Sequence, residues 1–425
     1  MSKAPGGQRP RRKPISMRDA ALTVVKNLQG SGHVALFAGG CVRDMLMGND
    51  PHDYDIATSA KPDEVVQAFR RTQRVGAQFG VVLVRIGQHM IEVATFRTDL
   101  AYHDGRRPIG VEFSNPKEDA CRRDFTINGI FFDPIADEVV DHVGGQKDLK
   151  ARMIRAIGEP AKRFAEDHLR LLRAVRFAAR FDFEIEPETW TAMCRYAEEI
   201  RRISPERIRI ELEAILSNAN RSMAVRHLHR MGILKHLWPG ADVLSPQVEG
   251  IFDVLSALPE TARFELSLAA MLLSLTSKQV VGVCDALRCS HATQGTVKWL
   301  VEKQDTLMTP STVKLADLKR LMAHAAFDDL MSLFLAKLKT TSGDTGPFQE
   351  IEGRVQGILP DQVAPPPLLT GNDLKALGVV PGPDYKAILD RVYDAQLNDE
   401  IRQREEAVAL AQDLLKERRQ SHGAD

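Results

Sequence analysis

Residues 37–58 read FAGGCVRDMLMGNDPHDYDIAT. Two glycines close an apolar run, an arginine follows, and two aspartates stand one residue apart. Val34–Ala38 has the length and apolarity of a buried strand and is bounded by glycines. A short helix is predicted over Cys41–Met47. His52–Ala57 alternates and reads as a second strand, in which Asp53 and Asp55 point to the same side. Two carboxylates held side by side repel each other unless a cation sits between them. A divalent metal meets that need, and Mg²⁺ favours carboxylate oxygens together with substrate phosphates. Two such ions, about 4 Å apart, activate an attacking hydroxyl and stabilise a leaving pyrophosphate.

A third carboxylate would complete the site. Glu92 is the lone charge in MIEVATF, a predicted neighbouring strand, and a buried carboxylate without a partner is costly. Gly39 and Gly40 at a strand end let backbone N–H groups come close to a phosphate, and the helix start behind them favours anions. Arg43, one turn into that helix, is placed to clamp the same phosphates. A lone D-x-D or a lone G-G is ordinarily a turn; together with a strand pattern and an arginine they read as a nucleoside triphosphate site with its metals. The stretch is neither a P-loop nor a dinucleotide fingerprint, since both spacings are missing.

Around this stretch, helical spacing runs from Ser16 to Leu28, with Ser16 as N-cap and Gly30 as stop. Pro62 opens a helix to about Arg71. Val81–Ile86 and Met90–Phe96 form two strands joined at Gly87-Gln88, a hairpin spacing. Asp99–Asn115 is polar and reads as a loop, and short strands follow up to Gly145. Past residue 148 helical periodicity takes over. The DQVAPPP run within Pro360–Pro367 cannot lie inside a helix and reads as a linker.

A length of 425 residues implies two or more domains. Basic and acidic residues balance at 57 each, so net charge does not announce a nucleic-acid partner. The five cysteines match no common zinc spacing and read as thiols of a reducing, cytoplasmic compartment. No apolar run approaches the roughly 20 residues of a membrane span, so no membrane partner is expected. The basic N-terminus lacks the apolar core of a signal peptide and reads as a flexible tail.

GGCVRD followed by DYDIAT resembles motif A of the class II nucleotidyltransferases, the family of bacterial CCA-adding enzymes and poly(A) polymerases. RRDFTING at 122–129 resembles motif B, EDHLRLLRAVRFAARF at 166–181 the nucleotide-selecting motif D, and ISPERIRIELEAIL at 203–216 motif E. The likeness is dense from about residue 33 to 240 and returns weakly near the C-terminus. It implies an α+β fold: a nucleotidyltransferase head with a mixed β-sheet (16–148) after a tail (1–15), then an all-α neck (149–240), body and tail (241–425). It implies catalytic Asp53, Asp55 and Glu92, with Mg²⁺ held by Asp53 and Asp55. Gly40 and Arg43 match phosphate-contacting positions, Arg123, with Arg122 beside it, falls at the motif B arginine, and Asn128 lies near the sugar. Asp167 and Arg170, with Arg173 and Arg176 behind them, match positions that read the incoming base without a nucleic-acid template.

The residues of motif D agree with that role. Asp167, Arg170, Arg173, Arg176 and Arg180 step along one predicted helical face. An aspartate accepts from an exocyclic amine and an arginine donates to a ring nitrogen or carbonyl, so such a pair distinguishes C and A from U and G. A surface helix with internal ion pairs has the same spacing. Ser204 or Pro205 is expected to start a helix whose Glu206 and Arg207 brace motif D. His227 and His229, among Arg221, Arg226 and Arg230, read as a solvated or RNA-facing surface.

The resemblance covers CCA addition to tRNA from CTP and ATP, CC-only or A-only addition, and poly(A) synthesis. The nearly neutral stretch VGAQFGVVLVRIGQ, the chain end QSHGAD and the loop DGRRP at 104–108 favour tRNA 3′-end addition. Gly129 departs from the family, in which alanine or serine is commoner. The other classes are a non-catalytic RNA-binding protein, which intact acids at 53, 55 and 92 disfavour, and a small-molecule nucleotidyltransferase, which would not need the long helical region.

Overall fold

A computed structural model describes residues 15–75, 80–99, 110–238, 240, 248–377, 379 and 383–421. The chain divides into two compact units, Met1–Ser245 and Pro246–Asp425.

The first unit opens on α1 (Met17–Gly30), capped by the Ser16 hydroxyl, which accepts from the Asp19 N–H. Ala20, Ala21, Val24, Val25 and Leu28 form its apolar stripe and are fully buried. Then come β1 (Ala35–Ala38), α2 (Gly40–Leu46), β2 (Asp55–Thr58), α3 (Pro62–Ala68), β3 (Thr72–Arg74), β4 (Val81–Ile86) and β5 (His89–Thr95). β6 (Arg97–Asp99), β7 (Val111–Phe113), α4 (Pro116–Arg122), β8 (Ile130–Asp133) and β9 (Glu138–Asp141) follow. Seven strands make one sheet in the order β3-β4-β5-β2-β1-β8-β9. β2 runs parallel to β5, and the other pairs are antiparallel, so the sheet is mixed as expected. β1 sits among the inner strands with all four residues buried, which is why its run is apolar throughout. Gly87, at a φ of 61°, makes the two-residue turn between β4 and β5.

After the sheet the first unit is mainly helical: α5 (Gly145–Lys150), β10 (Met153–Ile154), α6 (Pro160–Glu166), α7 (Arg170–Phe181), β11 (Glu184–Ile185), α8 (Pro187–Tyr196), α9 (Pro205–Leu216) and α10 (Arg221–Arg230). α7 lays Leu171, Leu172, Val175, Ala178 and Ala179 into the core.

The second unit is helical throughout its described residues. Its helices are α11 (Val248–Ala257), α12 (Phe264–Met271), α13 (Ser277–Ala286), α14 (His291–Lys303), α15 (Leu315–Met322), α16 (Phe327–Thr341), α17 (Gly346–Gln356), α18 (Pro360–Val363), α19 (Gly371–Ala376), α20 (Pro383–Leu397) and α21 (Arg404–Ser421). A satellite core of Leu369, Leu374, Ile388, Val392, Ala407 and Ala411 joins the last of them. Among the described residues no helix is long and apolar enough to cross a membrane.

Four readings are corrected here. The second strand begins at Asp55, so Asp53 lies in the irregular segment before it rather than in the alternation. The helix of motif D begins at Arg170; Asp167 caps the end of α6 instead of sharing a helical face with the arginines. The polar segment after Asp99 is not wholly irregular, because its ends pair as β6 and β7. The proline run is not a free linker: Pro360 starts the single turn α18, and the Pro365 and Pro366 carbonyls accept from Tyr393 and Gln396. The basic tail up to residue 14, the 76–79 part of the neutral stretch, DGRRP and the last four residues lie outside the described residues.

Gly129 has a packing reason. A Cβ there would stand 2.7 Å from Val143 Cγ2 and 3.2 Å from Ile157 Cδ1, closer than those side chains allow without shifting.

Candidate active site

A cavity of about 670 Å³ opens over one end of the sheet. The strand-end turn at Gly39-Gly40, Asp53 and Asp55 from the β2 entry, and Glu92 from β5 line one part of it. Arg122, Arg123 and Asn128 line another, and Asp167, Arg170 and Arg173 a third. Of the candidate residues only Arg176 lies outside the lining; it braces the wall from behind.

The acid end follows from sheet register. Ile56 lies opposite Val93 in the parallel β2–β5 pair, so one step earlier Asp55 comes beside Glu92. Glu92 is exposed to the cavity, which corrects its reading as a buried carboxylate. Asp53, Asp55 and Glu92 form no ion pair or side-chain hydrogen bond among the described residues. Burial, then the charges of Glu92 and Asp53, push the Asp55 carboxyl up to about 6 against the pull of Arg123. Among the described residues no three acids, histidines or cysteines stand close enough to enclose an ion, so the expected closed set of three acids is not preformed. The donor set still fits a Mg²⁺ site that relies on one or two carboxylates plus substrate phosphates. Unpaired Asp53 and Asp55 offer those carboxylates, and the repulsion acting on Asp55 is what a cation would relieve.

A raised carboxyl has a definite sign in stability. The folded chain holds the proton more tightly than the unfolded one, so Asp55 favours folding below the ordinary range near 3.8 and loses that contribution as pH rises through about 6. Without divalent ions, the thermal midpoint of Asp55→Asn should therefore rise relative to the unaltered protein between pH 4 and pH 7. A constant difference across that interval would contradict the assignment.

The basic wall is held by acids. Gly39 has a φ of 68° and caps α2, so the turn favours glycine; a Cβ there would stand 2.8 Å from Arg123 Nη1, which would have to move aside. Arg43 is buried. Its Nε and Nη2 donate to Asp44 at 2.9 and 2.7 Å and its Nη1 to Asn128 Oδ1 at 2.6 Å. Its guanidinium also lies 4.5 Å from the Phe181 ring centroid. Three of its N–H groups are thus engaged, and two of the five remain for a ligand. Asp119 accepts from Arg122 on one oxygen and Arg123 on the other, at 2.7 to 3.1 Å. Burial would raise its carboxyl, but the two guanidinium charges hold it below the usual carboxylate range.

A chain of contacts ties this wall to α7. Asn128 Nδ2 donates to Asp124 at 3.0 Å, and Arg173 donates to the other Asp124 oxygen at 2.6 and 2.8 Å. Arg173 and Arg176 both reach Glu211 on α9, at 3.8 and 3.2 Å. The Arg170 N–H donates to the Asp167 carbonyl at 3.1 Å, and their side chains have other partners. Arg207 donates to Asp167 Oδ2 at 2.8 Å and the Leu169 N–H to its Oδ1 at 3.0 Å, while Arg170 donates to Glu166 at 2.6 Å. Arg207 braces motif D as expected; Glu206 is exposed. Sequence reading missed Asp44, Asp119, Asp124, Glu166 and Glu211. Asp119 and Glu166 carried local signals, with arginines three and four residues away, and Asp44 adjoins Arg43.

A mixed sheet that presents unpaired acids across one cavity from an arginine wall and the start of α7 defines a class II nucleotidyltransferase head. Residues 35–155 match the Poly A polymerase head domain and residues 182–244 the "Probable RNA and SrmB- binding site of polymerase A". The chain is 32% identical to the CCA-adding enzyme of Levilactobacillus brevis over 87% of this chain and 91% of that one. It is 44% identical to the CCA-adding enzyme of Enterococcus faecalis over 49% of this chain and 51% of that one. Its fold matches the Bacillus stearothermophilus CCA-adding enzyme in complex with CTP, with a TM-score of 0.78 and 27% identity over 97% of this chain and 100% of that one. The chain belongs to the CCA-adding enzyme family.

Proposed function

We propose that the protein builds CCA on the 3′ end of tRNA from CTP and ATP, with residues 16–148 as catalytic head, 149–240 as selecting neck and 241–425 as tRNA-binding body and tail. The observation that carries this reading is the single cavity that joins unpaired Asp53, Asp55 and Glu92 to Asp167 and Arg170. The first group is suited to phosphoryl chemistry and the second to reading a base edge. The similarity to CCA-adding enzymes along most of the chain favours CCA over a homopolymer as product.

Asp53 and Asp55 would hold Mg²⁺. When bound there, divalent ions make the 3′-hydroxyl a stronger nucleophile and neutralise the leaving pyrophosphate. Glu92, beside Asp55 in the sheet register, is the third carboxylate of this end. The Gly39-Gly40 backbone and the remaining donors of Arg43 receive phosphate oxygens, and Arg122 and Arg123, held apart by Asp119, add positive charge where the triphosphate lies. Asn128, fixed between Arg43 and Asp124, contacts the sugar. Asp167 accepts the exocyclic amine shared by C and A, and Arg170 donates to the neighbouring ring acceptor. Both are pre-aimed by Arg207 and Glu166, so little ordering is left to the moment of binding. The setting is cytoplasmic, where mature tRNA ends are made and the five cysteines, all free, stay reduced.

The test is a matrix of tRNAs lacking three, two, one or none of the terminal nucleotides, each given one triphosphate at a time. The expected result is C added to the first two, A to the third and nothing to the last. Uncontrolled A addition, or no extension of any tRNA, would overturn the reading.

A further inference from the structure

A second cavity, about 950 Å³, opens beyond the far end of α7 and shares no lining residue with the first. Arg170 begins that helix in the catalytic cavity, and Asp182 and Phe183 follow its end on this one. The catalytic cavity follows that helix as far as Arg180, and the second cavity begins just past its end with a wholly different set of lining residues.

The wall of the second cavity is aromatic. Trp190 of α8 is half-buried, and the Arg230 guanidinium of α10 lies 5.9 Å from its ring centroid. His227, one turn before Arg230, meets the indole edge-on at 5.5 Å. The buried Nδ1 of His227 has no hydrogen-bond partner among the described residues. Burial and the Arg230 charge hold the imidazole below its usual range, so it is neutral and offers one donor and one acceptor. The formal charges of the lining cancel: Arg152 and Arg230 stand against Asp182 and Glu184, and Arg152 is already bound to Asp182 at 2.8 Å. A balanced, aromatic, hydrogen-bonding wall suits an uncharged heteroaromatic ring and not a triphosphate. The α8 and α10 residues of this wall lie within the segment that matches a probable RNA-binding pattern.

The geometry points to a base-binding subsite, in which an unpaired nucleotide of the tRNA substrate stacks on Trp190, hydrogen-bonds His227 and sets its phosphate beside Arg230. This rests on tRNA being the substrate. The site anchors the RNA outside the catalytic cavity while its 3′ end changes length there.

Steady-state addition to tRNA tests it, set against addition to a fully paired acceptor-stem duplex whose only unpaired nucleotides are its 3′ overhang. Trp190→Ala should raise the KM for tRNA at least about 5-fold, the lower end for one base–aromatic stack, while kcat and the KM for CTP stay within about two-fold. Trp190→Phe should restore the tRNA KM, and neither variant should change the KM for the duplex. Arg230→Gln should shift the tRNA KM in the same direction, which keeps the test decisive if Trp190→Ala folds poorly. An unchanged tRNA KM in Trp190→Ala and Arg230→Gln, or an equal rise on the duplex, would overturn the proposal and leave the cavity to a protein partner or to packing. A native protein that extends neither RNA would instead sink the tRNA reading itself.

Discussion

Asp53→Ala and Asp55→Ala each lower nucleotidyl transfer by about 10³-fold or more and leave the protein folded. The size follows from removing a carboxylate where charge develops on the transferring phosphoryl group, in a site already ringed by fixed charges. The intact fold follows from what these side chains lack: neither makes an ion pair or side-chain hydrogen bond among the described residues. Asp55 is opposed by Glu92 and Asp53, so its loss relieves repulsion and the thermal midpoint at neutral pH should hold or rise. Turnover on tRNA with saturating CTP, beside a melting curve, checks both halves. Near-normal turnover in either variant would remove the metal assignment, and a collapsed melting curve would make these acids structural.

The second large effect falls on base choice. A site built to hydrogen-bond a substrate group rejects analogues lacking it by about 10⁴-fold, because its own polar groups are then left unpaired. Asp167→Ala removes the acceptor and should cut the preference for C and A over U and G by about 10²-fold or more, read as ratios of kcat/KM among the four triphosphates. Arg170→Ala should act in the same direction. Arg207→Ala, which frees Asp167 from its 2.8 Å contact, should loosen selection by a smaller factor because the Leu169 N–H still holds the other oxygen. Unchanged ratios in Asp167→Ala and Arg170→Ala would show that neither residue reads the base. Reduced rates with unchanged ratios would make the two residues supports of the cavity rather than readers of the base.

How far the site could be read from the chain depended on the range of each interaction. The turn at Gly39-Gly40, β1 and α2 were legible because their pattern is local: an apolar run, two glycines and a short periodic segment. The joining of Asp55 and Glu92 was partly legible, since a lone acid in an apolar strand invites a partner. Its exposure was not, because strand order decides which face meets the cavity. Asp167 was misplaced by spacing alone. Three-residue steps look continuous in sequence, yet α6 ends at Glu166 and the following turn aims the carboxylate toward Arg207, forty residues on. Asp124 and Glu211, acids that organise the wall, were invisible for the same reason. Asp124 meets Arg173 from forty-nine residues away, and nothing in a single chain tells which acid a distant arginine will find. Asp119 in the pattern EDACRR, Glu166 four residues before Arg170, and Asp44 beside Arg43 are the ones that local spacing could have revealed.

The central claim is that one cavity holds the phosphates at its acid end and the base at α7. The most direct measurement is a crystal structure with Mn²⁺ and a non-hydrolysable CTP analogue, with the metal located by its anomalous scattering. The account predicts manganese bound by Asp53 and Asp55 and bridged to the triphosphate, with the cytosine amine within hydrogen-bond distance of Asp167 and its ring acceptors facing Arg170. Manganese on other acids, or a base turned away from Asp167 and Arg170, would contradict it.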